Sequence, residues 1–227
     1  MSLRVPQDQK CAGCSKAGIH NHKQMRIHKD NVTKKYKKTN VVSGLTASEA
    51  YHLEVTILGR LNAITPPANC KHERFFPKLL ARNDGHLTVT TTMDGIPLKF
   101  LKNYSQLCSI PFCTAIRTAK CMDTLLEMAR VKHLDQQVDG KNMLIQGHRL
   151  TLYDFDVAEI DNISTSTRMS AIAARHHWTS VQVVAAFYGE HCQGCNTSEC
   201  IDGGEAGVST PMGWNIEDGH DNLGLDL

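Results

Sequence analysis

The hydrophobic positions of this chain change period several times, and each change marks an expected element. Met25-Arg26-Ile27 reads as a short strand and Lys29-Asp30-Asn31 as a turn. Val32-Thr33-Lys34-Lys35-Tyr36 alternates, which puts Val32, Lys34 and Tyr36 on one face of a second strand. The period then becomes helical, with Ala50, Leu53, Ile57 and Leu61 recurring on one face. Thr46-Ala47-Ser48-Glu49 forms a capping box ahead of them, in which the hydroxyl and the carboxylate satisfy orphan helix amides. Two further strands, Phe75 to Leu80 and Leu87 to Thr92, flank Asn83-Asp84-Gly85, a hairpin signal. Met93-Asp94-Gly95 follows as a polar connector. A helical pattern from Cys113 to Val131 carries Ile116, Met122, Leu125, Leu126 and Met128. Met143-Leu144-Ile145 and Leu150-Thr151-Leu152-Tyr153 form a hairpin around Gln146-Gly147-His148, and one or two helices are expected between Ser164 and Gly189. This order is an α+β layout with two lobes.

Composition narrows the picture in three places. The chain has 227 residues and a formal charge of only +2. That length suits one mid-sized domain or two small lobes sharing a cleft. The charge is unevenly spread: residues 1–40 hold ten Lys or Arg against two Asp, and the last 25 hold five acidic residues and no Lys or Arg. A solvated charged surface accounts for both runs without a nucleic-acid partner. The acidic stretch 203–227, rich in Gly, is expected to be a disordered tail. No N-terminal stretch reads as a signal peptide, and no apolar run approaches the roughly 18 residues needed to cross a bilayer. A cytoplasmic, reducing location is therefore expected, with no membrane partner. The nine cysteines are then expected as thiols or metal ligands rather than disulfides.

Two Cys/His groups are candidate Zn²⁺ sites: Cys11, Cys14, His20 and His22, and the better isolated His191, Cys192, Cys195 and Cys200. More chemistry lies between residues 133 and 156. His133-Leu134-Asp135 opens a polar loop that continues through Asp139-Gly140-Lys141-Asn142 into the hairpin, and the second hairpin strand ends in Asp154-Phe155-Asp156. Mg²⁺ takes hard oxygen ligands, commonly one or two carboxylates plus phosphate oxygens. Asn142 and Asp154 are suited to that role, and a neighbouring carboxylate to accepting a hydroxyl proton.

This segment resembles the catalytic loop H-R-D-x-x-x-x-N and the metal loop D-F-G of the protein kinase superfamily. The resemblance covers about residues 12–160. It implies a two-lobed kinase-like fold: a small β-rich lobe over 1–94, a reduced helical lobe over 95–202, and the tail. It implies Asn142 and Asp154 as Mg²⁺ ligands, Asp135 as catalytic base and Lys141 as the loop lysine near the γ-phosphate. It implies Lys34 as the strand lysine that grips ATP phosphates and Glu54 as its helix partner. Gly13 and Gly18 resemble a two-glycine phosphate loop, and Thr92 and Met93 fall where the hinge would meet adenine.

The departures are specific. Asp135 stands seven residues before Asn142, two more than in the kinase pattern, which makes Asp139 a rival base. Asp156 replaces the Gly of D-F-G, and no A-P-E follows. The resemblance implies an ATP- and Mg²⁺-dependent Ser/Thr kinase-like phosphotransferase acting on a protein substrate. A catalytically inactive pseudokinase and a zinc-binding interaction module are the alternatives.

Overall fold

The computed structural model describes residues 23–28, 31–40, 43–70, 74–136, 140–160 and 178–192. Gly13, Gly18, Cys11, Cys14, His20, His22, Asp139, Cys195, Cys200 and the acidic tail lie outside these residues. The fold is mixed α+β. Strands β1 (Lys23–Ile27), β2 (Asn31–Tyr36), β3 (Leu79–Asn83) and β4 (Thr88–Thr92) form an antiparallel sheet in the order β1-β2-β4-β3. The alternation of β2 is realised: Val32, Lys34 and Tyr36 are buried. Helix α1 (Ala47–Ala63) begins at the expected capping box, with Thr46 accepting from the Glu49 amide and the Glu49 carboxylate accepting from the Thr46 amide. Its buried stripe includes Ala50, Tyr51, Glu54, Val55, Ile57, Leu58 and Leu61, so a carboxylate sits on the apolar face.

The strand expected from Phe75 begins instead at Leu79. Phe75 and Phe76 are buried, and the Phe75 carbonyl accepts from the Leu152 amide at 2.9 Å. Their rings belong to an aromatic cluster in which Phe76 lies 6.0 Å from Phe155. Pro77 has no amide to give a ladder, and its carbonyl accepts from Asn62. The β3–β4 hairpin is present, but the left-handed residue is Leu87 (φ 46°) after a 3₁₀ turn over Asp84–His86, in which Asn83 caps His86.

After β4, the connector leads into β5 (Ile96–Pro97), which pairs with β7 (Met143–Gln146), itself paired with β8 (Arg149–Leu152). Gly95 is required here: at φ 129° its Cβ position would lie 2.3 Å from the Ile145 carbonyl oxygen. Helix α2 (Ser105–Cys108) precedes α3 (Phe112–Ala129), which ends in left-handed Arg130. Strand β6 (Val131–His133) then pairs with β9 (Ala158–Ile160), and α4 (Ser180–His191) packs on α3. The hydrophobic core is continuous from Tyr36 and Leu58 through Met122 and Phe155 to Phe187. Among the described residues, no helix is long and apolar enough to cross a membrane.

The expectation of free thiols is overturned. Cys70 is bonded to Cys121 and Cys108 to Cys192, and Cys113 is disulfide-bonded as well. The first two close separations of 51 and 84 residues, so no local spacing pattern announces them. The first ties the loop after α1 to α3, and the second ties α2 to the end of α4. Disulfides persist in oxidising compartments, so the argument for a reducing cytoplasm loses its premise. The zinc site expected at His191, Cys192, Cys195 and Cys200 is corrected with it. The Cys192 sulfur is committed to Cys108, and the His191 ring stacks on Tyr104 at 3.7 Å.

Closing a loop of this length restricts the unfolded chain, and losing the link costs about 2–5 kcal/mol. Replacing Cys70 and Cys121 together by Ser is therefore expected to lower the midpoint of thermal unfolding, and adding a reductant should produce a comparable loss in the unmodified chain. Alkylation under denaturing, non-reducing conditions should leave Cys70, Cys108, Cys113, Cys121 and Cys192 unlabelled; labelling of these sites would contradict the pairing.

Candidate functional site

The site begins with one lysine that the fold buries. Alternation points Lys34 inward from β2, and α1 brings Glu54 against it, with Nζ donating to Oε1 at 2.5 Å. The same Nζ donates to Asp154 Oδ1 at 2.8 Å and lies 5.1 Å from the Tyr153 ring centroid. The Lys34 and Glu54 side chains are 1% and 2% exposed, so neither charge is solvated by water. Tyr36, two residues along the same strand face, donates its hydroxyl to Glu54 Oε2.

Asp154 follows β8 with φ 71°, an uncommon conformation for a residue with a side chain. Lys23, at the start of β1, donates to the same Oδ1 at 2.5 Å and to Asp156 Oδ2 at 3.0 Å. Two ammonium groups therefore converge on one carboxylate oxygen. Burial works against each of these charges, and their mutual attraction decides the outcome. Burial disfavours the Asp154 carboxylate, but Lys23 and Lys34 outweigh it and hold its pKa well below the usual range. Burial likewise opposes the charge on Lys34, yet Asp154 and Glu54 hold its pKa well above the ordinary lysine value. Lys23 is raised in the same way by Asp154 and Asp156. For Glu54 the order is reversed: burial, only partly offset by Lys34, raises its pKa. The Tyr153 hydroxyl is pushed up to about 12 by burial and by Asp154.

The second half of the site is the loop after β6. Asn142 Nδ2 donates to the Asp135 carbonyl at 2.7 Å and to Asp135 Oδ2 at 3.1 Å, so its nitrogen makes these bonds and its oxygen does not. Lys141 Nζ lies 2.9 Å from Asp135 Oδ1. Backbone bonds strap this loop to the Asp154 segment: Tyr153 N donates to Asn142 O at 3.0 Å and Leu134 N to Val157 O at 3.1 Å. His133 Nε2 bonds the Tyr153 carbonyl at 3.0 Å. Burial outweighs that bond and lowers the His133 pKa, so the neutral ring donates from Nε2. Gly140 (φ 60°) admits no Cβ, which would meet the Phe187 ring at 2.6 Å. Gln136 reaches Ser180 Oγ at 2.9 Å, and Asp123 caps the Ser180 and Val181 amides at 2.8 and 3.2 Å, so α4 braces the loop from below.

Lys34, Glu54 and Asp154 are thus one cluster, and Asp135, Lys141 and Asn142 another, joined through Tyr153. Thr92, the last residue of β4, and Met93, in the connector, are not part of either cluster. The Thr92 hydroxyl accepts from the Lys78 amide and donates to the buried Asp94, which Arg74 and Arg149 face at 3.6 and 3.5 Å. The expectation missed Lys23, because the first strand was read as starting at Met25. Alternation back from Ile27 and Met25 would have put Lys23 on the Lys34 face; the observed register is Lys23 opposite Tyr36 and Met25 opposite Lys34. Among the described residues no group of three or more His, Cys, Asp or Glu is arranged to hold a metal ion. The oxygen donors at hand are the carboxylates of Asp154 and Asp156 and the amide oxygen of Asn142, a hard set of the kind Mg²⁺ accepts together with phosphate oxygens.

A pH dependence follows from His133. Its folded pKa lies below the ordinary value of 6.5, so below that pH the unfolded chain binds a proton that the folded chain refuses. Stability is therefore full above 6.5 and declines as the pH falls. Asp154, whose pKa is lowered, adds a further loss as the pH drops through and below 3.8. Glu54, whose raised pKa acts in the opposite direction, is common to variant and unmodified chain, so the urea unfolding midpoint of His133→Gln should fall less, from about pH 7.5 to about pH 5, than that of the unmodified chain. An unchanged slope in the variant would assign the effect elsewhere.

No protein-family model matches this chain, and no curated protein sequence does.

Proposed function

We propose that this chain is an ATP- and Mg²⁺-dependent phosphotransferase of protein-kinase-like architecture, with a small strand-rich lobe and a reduced helical lobe, acting on a Ser or Thr hydroxyl of a protein. The observation that carries this reading is the buried Lys34 ammonium bonded at once to Glu54 and Asp154. Three segments far apart in sequence converge on one nitrogen, and a lysine so oriented is suited to grip phosphate oxygens. The loop strapped beneath it supports the same reading, since it presents Asp135, Lys141 and Asn142 beside Tyr153.

In this reading Lys34 binds the phosphates and Glu54 orients Lys34. Asp154 and the Asn142 oxygen would hold Mg²⁺, with Asp156 as an added carboxylate. When bound, Mg²⁺ neutralises charge that develops on the transferred phosphoryl group. Asp135 orients the acceptor hydroxyl and takes up its proton, and Lys141 steadies both Asp135 and the γ-phosphate. Little covalent chemistry is asked of the protein, because positioning and electrostatics supply most of the rate. Thr92 and Met93 would border the adenine. The disulfides favour an oxidising compartment for this activity over the cytoplasm.

One observation favours a second reading, a nucleotide-binding module without transfer. Asp154 is already neutralised by two ammonium groups. The two readings separate in one pair of experiments. A thermal-shift measurement with ATP and Mg²⁺ should show stabilisation in both. Mg²⁺-dependent phosphate transfer to a generic protein substrate should appear only in the first, and Asp154→Ala should reduce it by about a hundredfold or more. Transfer that survives Asp154→Ala would remove Asp154 from the site, and no nucleotide response at all would end both readings.

A further inference from the structure

We infer that Lys23 is an internal counter-cation which closes the Asp154–Asp156 carboxylate pair, and that a divalent cation enters by displacing it. This rests on the reading of those carboxylates as the metal-binding end of the site.

Lys23 Nζ lies 2.5 Å from Asp154 Oδ1 and 3.0 Å from Asp156 Oδ2, so it bridges the two carboxylates as a small cation would. It is sequestered: its side chain is 8% exposed, and those of Asp154 and Asp156 are 13% and 3% exposed. Two like carboxylates this close, in a setting of low polarisability, repel unless a positive charge lies between them. Lys34 Nζ bonds Asp154 and Glu54, while Lys23 Nζ bonds both Asp154 and Asp156.

The two lysines differ in how firmly they are held. Lys34 is on β2, flanked by β1 and β4, and is fixed on both sides by Glu54 and Asp154. Lys23 is on β1, the edge strand of the sheet among the described residues, and the four residues after it are exposed. Withdrawing Lys23 disturbs an edge strand, whereas withdrawing Lys34 would break the centre of the sheet face. Lys23 is therefore the cation that can leave.

A metal ion bridging the two carboxylates would take the place that the Lys23 ammonium now holds between them, so Lys23 competes with it directly. Without a metal, the lysine supplies positive charge between the two buried carboxylates. The site thus stays folded while empty and opens to a divalent cation only against a built-in competitor.

The test uses Mn²⁺ alone as probe on the full chain, followed by titration calorimetry and by the paramagnetic resonance signal of free Mn²⁺. Lys23→Met should bind Mn²⁺ on the order of tenfold or more tighter than the unmodified protein, the size expected when a charge-assisted competitor is removed. Lys23→Arg should stay weak, and Asp154→Asn should abolish binding in either background. Equal or weaker binding by Lys23→Met, with Asp154 still required, overturns the competition and leaves the metal site standing. Binding indifferent to Asp154→Asn, or absent from every variant, overturns the metal site and this inference together. A measurement on the unmodified protein guards against a variant that fails to fold. Mass spectrometry after brief acetylation should show Lys23 protected without Mn²⁺ and modified with it, while Lys34 stays protected in both. Protection of Lys23 that saturating Mn²⁺ does not change would also overturn the inference.

Discussion

The buried Lys34 ammonium is the constraint around which the rest of the site is arranged. A charge this far from water is tolerated only when it is paired and hydrogen-bonded on several sides. Glu54 and Asp154 meet that demand from a helix and from the residue after a hairpin. Removing Lys34 would leave the buried Glu54 carboxyl without its ion-pair partner, a kind of change that typically costs about 3–5 kcal/mol. The position of α1 against the sheet and the path of the chain after β8 are therefore coupled through one nitrogen atom. The Tyr36 hydroxyl and the Tyr153 ring complete the same enclosure.

The lower part of the molecule holds its loop by different means. Asp135 is positioned by Asn142 and Lys141 from its own loop, and the loop is strapped to Tyr153 and Val157 through backbone bonds. Beneath it, α4 is fixed at both ends: Asp123 caps its first amides, and the Cys108–Cys192 bond secures its last turn. Phe187 from that helix fills the space over Gly140. Such covalent and capping restraints matter here because order in a polar loop has to be supplied by its surroundings. The proposed chemistry depends on this rigidity, because positioning is the larger part of what a phosphotransferase provides.

Local signals were legible wherever the deciding physics was local. The alternation of Val32, Lys34 and Tyr36 identified which of two adjacent lysines points inward. The Thr46–Glu49 box located the start of α1, and Gly147 marked the β7–β8 turn. Phe75 and Phe76 misled for the opposite reason. They have strong strand propensity, but tertiary contact with Leu152 and Phe155 draws them into the core outside any ladder. The hairpin turn was found, although the residue with positive φ is Leu87 and not Gly85, because Asn83 caps a 3₁₀ turn that shifts the bend by two positions.

The sequence by itself determined the α+β order, the inward face of β2, the start of α1 and the pairing of a polar loop with an Asp-containing hairpin end. Each depends on spacings of a few residues, set by the geometry of strands, helices and turns. Only the tertiary structure decided which cysteines meet across 51 and 84 residues, and that Lys23 reaches Asp154 and Asp156 across more than 130 positions. The physical reason is the same in both cases. A pairing between distant residues is selected by how whole elements pack, and neither a thiol nor an ammonium group carries in its own neighbourhood any mark of the partner that packing will bring.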